Sequence, residues 1–419
     1  MSMSGDFHGS GQRGGPSPVS RDHSTQHVPA IDGVRGIAIL LVITYHSLAL
    51  WPSEGVTDRL IHLATDWTWS GVDLFFVLSG FLITGILLDA KGDEHYFRTF
   101  YVRRALRIFP LYYITLLVVF ALATLMSHTR SSATRLLLTN QPWYWAYGVN
   151  VLIARNGSSI VPWGLSHLWS LSVEEQFYLV WPTVVWFTSS AGVRRLAIAV
   201  LLLEPIVRLV APHLGISPTG IYALTLTRLD PLAIGAFLAT AIRRETDVQL
   251  LSNYKLVGAV GGAALVIQML ATRTSLSPSE RATQLAGFSC IAVVFGAFLG
   301  AAILGPPGGA LRRFLEKPLL RTFGRYSYAM YIVHYPFIHM VARVLPTSDT
   351  VRLGNVMLLP FLTTAVIVVA SSLAIAKVTW TFIEQPFLKL KRFVPYAHRS
   401  DEHIALRRRR PWPAGASRN

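Results

Sequence analysis

The chain has 419 residues, of which 52% are hydrophobic and only 14% charged, and its mean hydropathy is +0.43. Apolar runs recur along most of its length, which excludes a soluble globular domain and indicates a polytopic membrane protein. The formal net charge of +16 raises nucleic acid as a partner, but its placement gives a membrane explanation instead. A single cysteine, Cys290, permits no disulfide within the chain and leaves the redox compartment unread.

In chain order, residues 1–29 are rich in Gly, Ser, His and Pro and read as a disordered N-terminal tail. No cleavable leader is apparent, so the first apolar stretch reads as a retained span. A spanning helix needs about 20 mainly apolar residues. Ten segments read as such spans: 31–51, 70–88, 108–127, 171–189, 196–212, 224–242, 255–272, 284–304, 323–342 and 357–383. Between the third and fourth, residues 128–170 hold Trp143, Trp145, Trp163 and Trp169. They read as a long loop at the membrane interface, where Trp and Tyr are favoured. Residues 389–419 are basic, include Arg407, Arg408, Arg409 and Arg410, and read as a mostly disordered cytoplasmic tail. The expectation is an all-α bundle of about ten transmembrane helices over 30–388, with both termini in the cytoplasm.

The basic residues sort the loops. With the N-terminus inside, Lys91, Arg98, Arg103, Arg104 and Arg107 fall on the cytoplasmic side, as do Arg194, Arg195, Arg243, Arg244, Arg312, Arg313, Lys317 and Arg321. The outer loops hold fewer, among them Arg59, Arg135, Arg155, Arg273 and Arg281. This bias follows the positive-inside rule and accounts for much of the net charge without nucleic acid.

Polar residues inside the apolar runs are the informative ones, because ionisable groups at membrane depth are costly and mark cavities or sites. In RGIAILLVITYH, Arg35 and His46 are separated by nearly three helical turns. On an α-helix that is about 20° of rotation and roughly 16 Å of rise, so both lie on one face. Asp73, in SGVDLFFVLSGFLIT, stands at about the depth of His46, among the small residues Ser70, Gly71, Ser79 and Gly80. In FYVRRALRIFPLYY, Arg104 and Arg107 share a face at the cytoplasmic start of the third span while Arg103 points elsewhere. Paired guanidiniums suit phosphate. Glu174 and Glu175 stand where the fourth span is expected to begin, at the outer surface, with Ser172 as a candidate N-cap and His167 close by. Arg228 and Asp230 lie in the sixth span and are able to pair with each other or across helices, and Tyr331 and His334 share a face of the ninth. Glu384 reads as architectural. No pair of His or Cys has tight ligand spacing, so no metal is expected, and neither a GxSxG elbow nor a phosphate-cradling glycine loop occurs.

Taken together, IDGVRGIAILLVITYH, GVDLFFVLSGFLIT, RRALRIFPLYY, LWSLSVEEQFYLVWP, TRLDPLAIGAFLA, GRYSYAMYIVHYP and FIEQP resemble the acyltransferase-3 family of bacterial membrane O-acyltransferases, in family order over about residues 30–390. The resemblance implies a ten-helix core in the bacterial cytoplasmic membrane. It implies that Arg35 and His46 form the family's arginine–ten residues–histidine motif and Arg104 and Arg107 its RxxR motif. The implied donor is cytoplasmic acyl-CoA, most often acetyl-CoA, with no permanently bound cofactor. The implied acceptor is a hydroxyl of a sugar, glycolipid, polysaccharide or related molecule. Many members carry a C-terminal SGNH-type domain. About 30 residues follow the last span, so that domain is expected to be absent and any periplasmic hand-over to need a separate partner.

On this reading Arg104 and Arg107 hold the donor's phosphates, Arg35 assists, and His46 is the general base. Asp73, or Glu174 or Glu175, would orient its imidazole. Arg228, Tyr331 and His334 join Arg35, Arg104 and Arg107 as candidate binding residues. The Trp-rich stretch 141–169 is the expected acceptor region. The rival reading is a transporter or flippase that uses Arg35 and His46 as a relay; the lack of a visible internal repeat weakens it.

Overall fold

The computed structural model describes residues 28–48, 56–126, 131–243, 253–344 and 358–396. Each expected span falls on a helix. These are α1 (Pro29–Leu48), α2 (Gly71–Ala90), α3 (Tyr96–Leu125), α4 (Trp169–Phe187) and α5 (Ser190–Val210). They continue with α6 (Leu229–Ala241), α7 (Tyr254–Thr272), α8 (Phe288–Leu304), α9 (Pro318–Val344) and α10 (Leu358–Thr379).

Among the described residues, 7 helical stretches are long and apolar enough to cross a membrane, not ten: α1, Leu60–Ala90, α3, Ser190–Leu214, α7, Thr283–Leu304 and Leu362–Phe393. The three that differ have physical reasons. α6 is apolar but has only 13 residues, about 20 Å of helix against a hydrocarbon core of about 30 Å. α4 carries Glu174, Glu175 and Gln176, and α9 carries Arg321, Arg325, His334 and His339. Those side chains lower the hydropathy of both helices; on α9, Arg321 and Arg325 are exposed whereas His334 is buried against its neighbours. The termini expected in the cytoplasm, together with Arg13, Arg21, Arg130, Arg244, Arg352 and Arg407–Arg410, lie outside the described residues.

The Trp-rich stretch is a folded cap, contrary to the expected interfacial loop. Short helices Ser132–Thr139, Gln141–Trp145 and Val149–Asn156 pack onto α3 and α4. Tyr112 Oη donates to the Tyr144 carbonyl at 2.7 Å, and the rings of Tyr112 and Tyr147 stack at 4.2 Å. Residues 389–396, expected in the disordered tail, continue from helix Gln385–Lys389 into the turn Leu390–Phe393, which packs on α3.

Two helix pairs have the most extensive contacts, α1 with α9 and α2 with α6. Glycines make both possible. A Cβ on Gly36 of α1 would overlap the carbonyl oxygen of Leu320 on α9, and one on Gly324 of α9 would overlap that of Asp32 on α1. Gly80 of α2 faces the Leu232 carbonyl in the same way, and Gly235 of α6 faces that of Val77. Small residues let backbones approach where lipid supplies no hydrophobic drive between helices. We therefore expect Gly235→Val to destabilise the fold by about 3 kcal/mol or more, seen as loss of monodisperse protein in detergent. Gly262→Ala on α7, where a Cβ meets nothing within 4 Å, should leave it intact. Equal behaviour of the two would refute the close-contact account.

Candidate active site

The tight α1–α9 pairing sets His46 against His334. His46 Nδ1 and His334 Nε2 are 3.0 Å apart. The other nitrogen of His334, Nδ1, lies 2.7 Å from the Tyr331 carbonyl and 3.2 Å from the Met330 carbonyl. Carbonyls only accept, so Nδ1 of His334 carries the hydrogen. For uncharged rings, Nε2 of His334 must then accept from His46 Nδ1–H. That fixes the tautomer of His46 and leaves the lone pair on its Nε2.

His167 joins this pair, with ring centroids 5.1 Å from His334. Its Nδ1 lies 3.0 Å from the Gly164 carbonyl, and its Nε2 has no hydrogen-bond partner among the described residues. His167 sits in the turn before α4, outside the apolar helices. Burial first, and His334 second, holds it well below the ordinary histidine range. Tyr331 Oη donates to the His167 carbonyl at 2.9 Å and lies 2.5 Å from Ser170 Oγ. Two of the three imidazoles have their Nδ1 atoms directed at carbonyls, and no group of three or more His, Cys, Asp or Glu with metal-holding geometry occurs among the described residues.

His46, His167, Tyr331 and Tyr335 line a cavity of about 310 Å³ whose other walls include Trp69, Trp169 and Tyr222. Ser158, Ser166 and residues 277–279 also line it. Part of the Trp-rich stretch therefore does reach this cavity. Trp145 does not; it stacks on Tyr113 and Phe120 and packs against α3.

A second polar cluster gathers around Arg35, Arg104 and Arg107, which face one another. Arg35 is also 3.6 Å from Asp32. Glu174 faces Arg104 and Arg35 and accepts a hydrogen bond from Ser79 on α2. Tyr178 Oη donates to Ser79 Oγ at 3.0 Å, and the Arg104 guanidinium lies 5.1 Å from the Tyr178 ring centroid. Glu175 and Arg104 line a separate cavity of about 410 Å³ with Tyr147 and Gln176. The run Glu174–Glu175–Gln176 thus points three ways, to α2, to the α3 cavity and to Asn150, which Gln176 Nε2 reaches at 3.0 Å.

Several expectations need correction. Neither Asp73 nor Glu174 or Glu175 orients His46; the ionisable groups facing it are His334, His167 and His339. Asp73 is buried against Arg228, the residue just before α6, at 2.5 Å. Arg228 is thus paired with Asp73 and lies among the rings of Phe288, Tyr222, Trp69 and Trp169. Asp230 pairs across helices with Arg208 at 3.1 Å. Tyr331 and His334, grouped with the donor-binding arginines, belong to the His46 site. Ser172 is not the N-cap, because α4 starts at Trp169 and Ser172 bonds inside it. Sequence reasoning read Ser79 only as a small residue beside Asp73 and left out Tyr178. It also left out the buried pair Glu204–Arg208, 3.4 Å apart, although two opposite charges four residues apart inside an apolar run are a visible signal.

A family model described as an acyltransferase domain matches residues 28–377. The peptidoglycan O-acetyltransferase OatA of Listeria monocytogenes is 29% identical over 381 residues, 88% of this chain and 57% of the relative. The putative peptidoglycan O-acetyltransferase YrhL of Bacillus subtilis is 31% identical over 382 residues, 87% and 56% respectively. The O-acetyltransferase OatA of Staphylococcus aureus is 28% identical over 401 residues, 90% and 60%. The chain thus spans somewhat more than half the length of these relatives. No solved structure gives a significant match. With the family model covering all but the two ends of the chain, the protein belongs to the acyltransferase-3 family.

Proposed function

We propose that this chain is a multi-pass membrane O-acyltransferase that moves an acetyl group from cytoplasmic acyl-CoA to a hydroxyl of a cell-wall glycan or similar carbohydrate. The observation that carries the proposal is the pairing of His46 with His334 at the wall of the cavity. With both rings uncharged the Nδ1–H of His46 goes to His334 Nε2, 3.0 Å away, which leaves Nε2 as the basic atom of a residue that lines a cavity of about 310 Å³. The Listeria relative is a peptidoglycan O-acetyltransferase and the Bacillus one a putative peptidoglycan O-acetyltransferase, which supports acetyl as the acyl group and a glycan as the acceptor class.

In the reaction, His46 Nε2 takes the proton as the acceptor oxygen attacks the thioester carbonyl. The C–S bond breaks, the acetyl group stays on the acceptor oxygen, and the imidazolium returns its proton to the departing thiolate. His334 holds the ring in the productive tautomer, the part a carboxylate plays in a Ser-His-Asp triad. The arginine cluster lies toward the N-terminal end of α1, the cytoplasmic end in the charge-derived orientation, where it would bind the donor's phosphates. The roughly 16 Å between Arg35 and His46 along α1 is of the order of an extended pantetheine arm.

The test is calorimetric titration of acetyl-CoA into purified, folded protein, beside an Arg104→Ala/Arg107→Ala variant. Saturable binding that weakens at least about tenfold in the variant, with free CoA released when a glycan acceptor is added, is the expected result. Folded wild type that binds no acyl-CoA would overturn the reading and favour a relay role for Arg35 and His46.

A further inference from the structure

The third arginine of the RRALR run, Arg103, has an occupation of its own. Its Nη1 donates to the main-chain carbonyls of Lys391 at 3.1 Å and Val394 at 2.9 Å. Its guanidinium lies 4.8 Å from the centroid of the Tyr396 ring. These contacts pin the chain after α10 onto α3, and they bring a fourth cation into the cluster. The Lys391 ammonium faces Arg107, Arg104 and Arg103. Arg35 faces Arg107 and Arg104 from the other side. The acid facing Arg107 here is Glu384, just before the pinned segment.

Arg35, Arg103, Arg104, Arg107 and Lys391 outnumber the acids that face them, Asp32, Glu174, Glu175 and Glu384, and an added anion would relieve the remaining repulsion. A phosphate ester fits best, since guanidiniums bind it bidentately and an ammonium adds a compact point charge. Lys391 lies beyond the stretch 28–377 that the family model matches.

We propose that Lys391 binds a phosphate of the donor nucleotide together with Arg104 and Arg107, and that the segment 385–396 is thereby part of the donor site. This rests on acyl-CoA being the donor. Arg103 is the positioning residue, because it holds the Lys391 backbone rather than touching substrate. The phosphate of an anionic lipid headgroup shares the same chemistry, and the experiment separates the two.

Acetyl-CoA is titrated into the full chain in detergent for wild type, Lys391→Ala, Lys391→Arg and Arg104→Ala/Arg107→Ala, each shown folded by its melting transition. Lys391→Ala is expected to weaken binding about tenfold and to flatten its salt dependence, and Lys391→Arg to restore most of the affinity. Unchanged affinity in Lys391→Ala, with binding lost in the arginine double variant, overturns the role of Lys391 and leaves the donor reading standing. The same unchanged affinity, with weakened binding to phosphatidylglycerol nanodiscs, assigns the phosphate to lipid and also overturns it. Wild type that binds no acetyl-CoA sinks both together.

Discussion

His46→Gln is expected to reduce turnover by about 10³-fold while leaving acetyl-CoA affinity within about twofold of wild type. Glutamine keeps an amide N–H able to reach His334 but offers no basic nitrogen to the acceptor hydroxyl. The loss should fall on kcat rather than on donor binding, because the arginine cluster is a separate set of contacts toward the other end of α1. His334→Gln should show a smaller loss, about 10²-fold, again in kcat. Without the Nε2 acceptor of His334 the imidazole of His46 is no longer fixed in one tautomer. Both variants are read by thiol release from acetyl-CoA in purified protein, with binding measured alongside. Near wild-type turnover in His46→Gln would remove His46 from the chemistry, and turnover lost only through donor affinity would move it to the binding site.

The second large effect is structural. Asp73 and Arg228 are both fully buried and 2.5 Å apart. Asp73 Oδ2 and the Nε and Nη1 of Arg228 have no hydrogen-bond partner among the described residues. Each charge is therefore stabilised chiefly by the other and, for Arg228, by the Phe288 ring 4.1 Å away. Removing one leaves an unpaired buried charge, which costs about 3–5 kcal/mol. Arg228→Met and Asp73→Leu should each lower the melting temperature in detergent sharply. The double variant should recover most of the loss, since well-packed apolar replacements of a buried pair are often neutral. If the two single effects simply add in the double variant, the pair is not coupled and the account fails.

The sequence makes the positions of the helices legible because spans are long and lipid demands apolar side chains. It also makes Arg35, His46, Arg104 and Arg107 legible, since charge inside an apolar run is its own signal. What it conceals is rotation and contact across helices. Asp73 and His46 share a depth, yet depth does not say which neighbour a side chain turns toward; Arg228, 155 residues along the chain, takes Asp73. Glu174 looks like the start of a helix because apolar residues follow it. The helix begins earlier, at Trp169, through residues whose side chains pack inward, and so Glu174 is carried into the bundle to Ser79. The ring pair His46–His334 spans 288 residues and has no local signature at all.

The glycine contacts between α1 and α9 determine which parts of the site can move. Sliding one helix past the other by a single residue would bring a Cβ against a carbonyl that now faces Gly36 or Gly324. The two imidazoles are thus kept in register by main chain meeting main chain, not by the hydrogen bond between them. That seam cannot serve as a hinge. The cavity beside His46 is also lined by Ser158, Ser166 and residues 277–279, which lie in short turns outside that seam. On the proposed function, substitutions in these turns would alter the lining of the cavity while leaving the seam that holds the two imidazoles untouched.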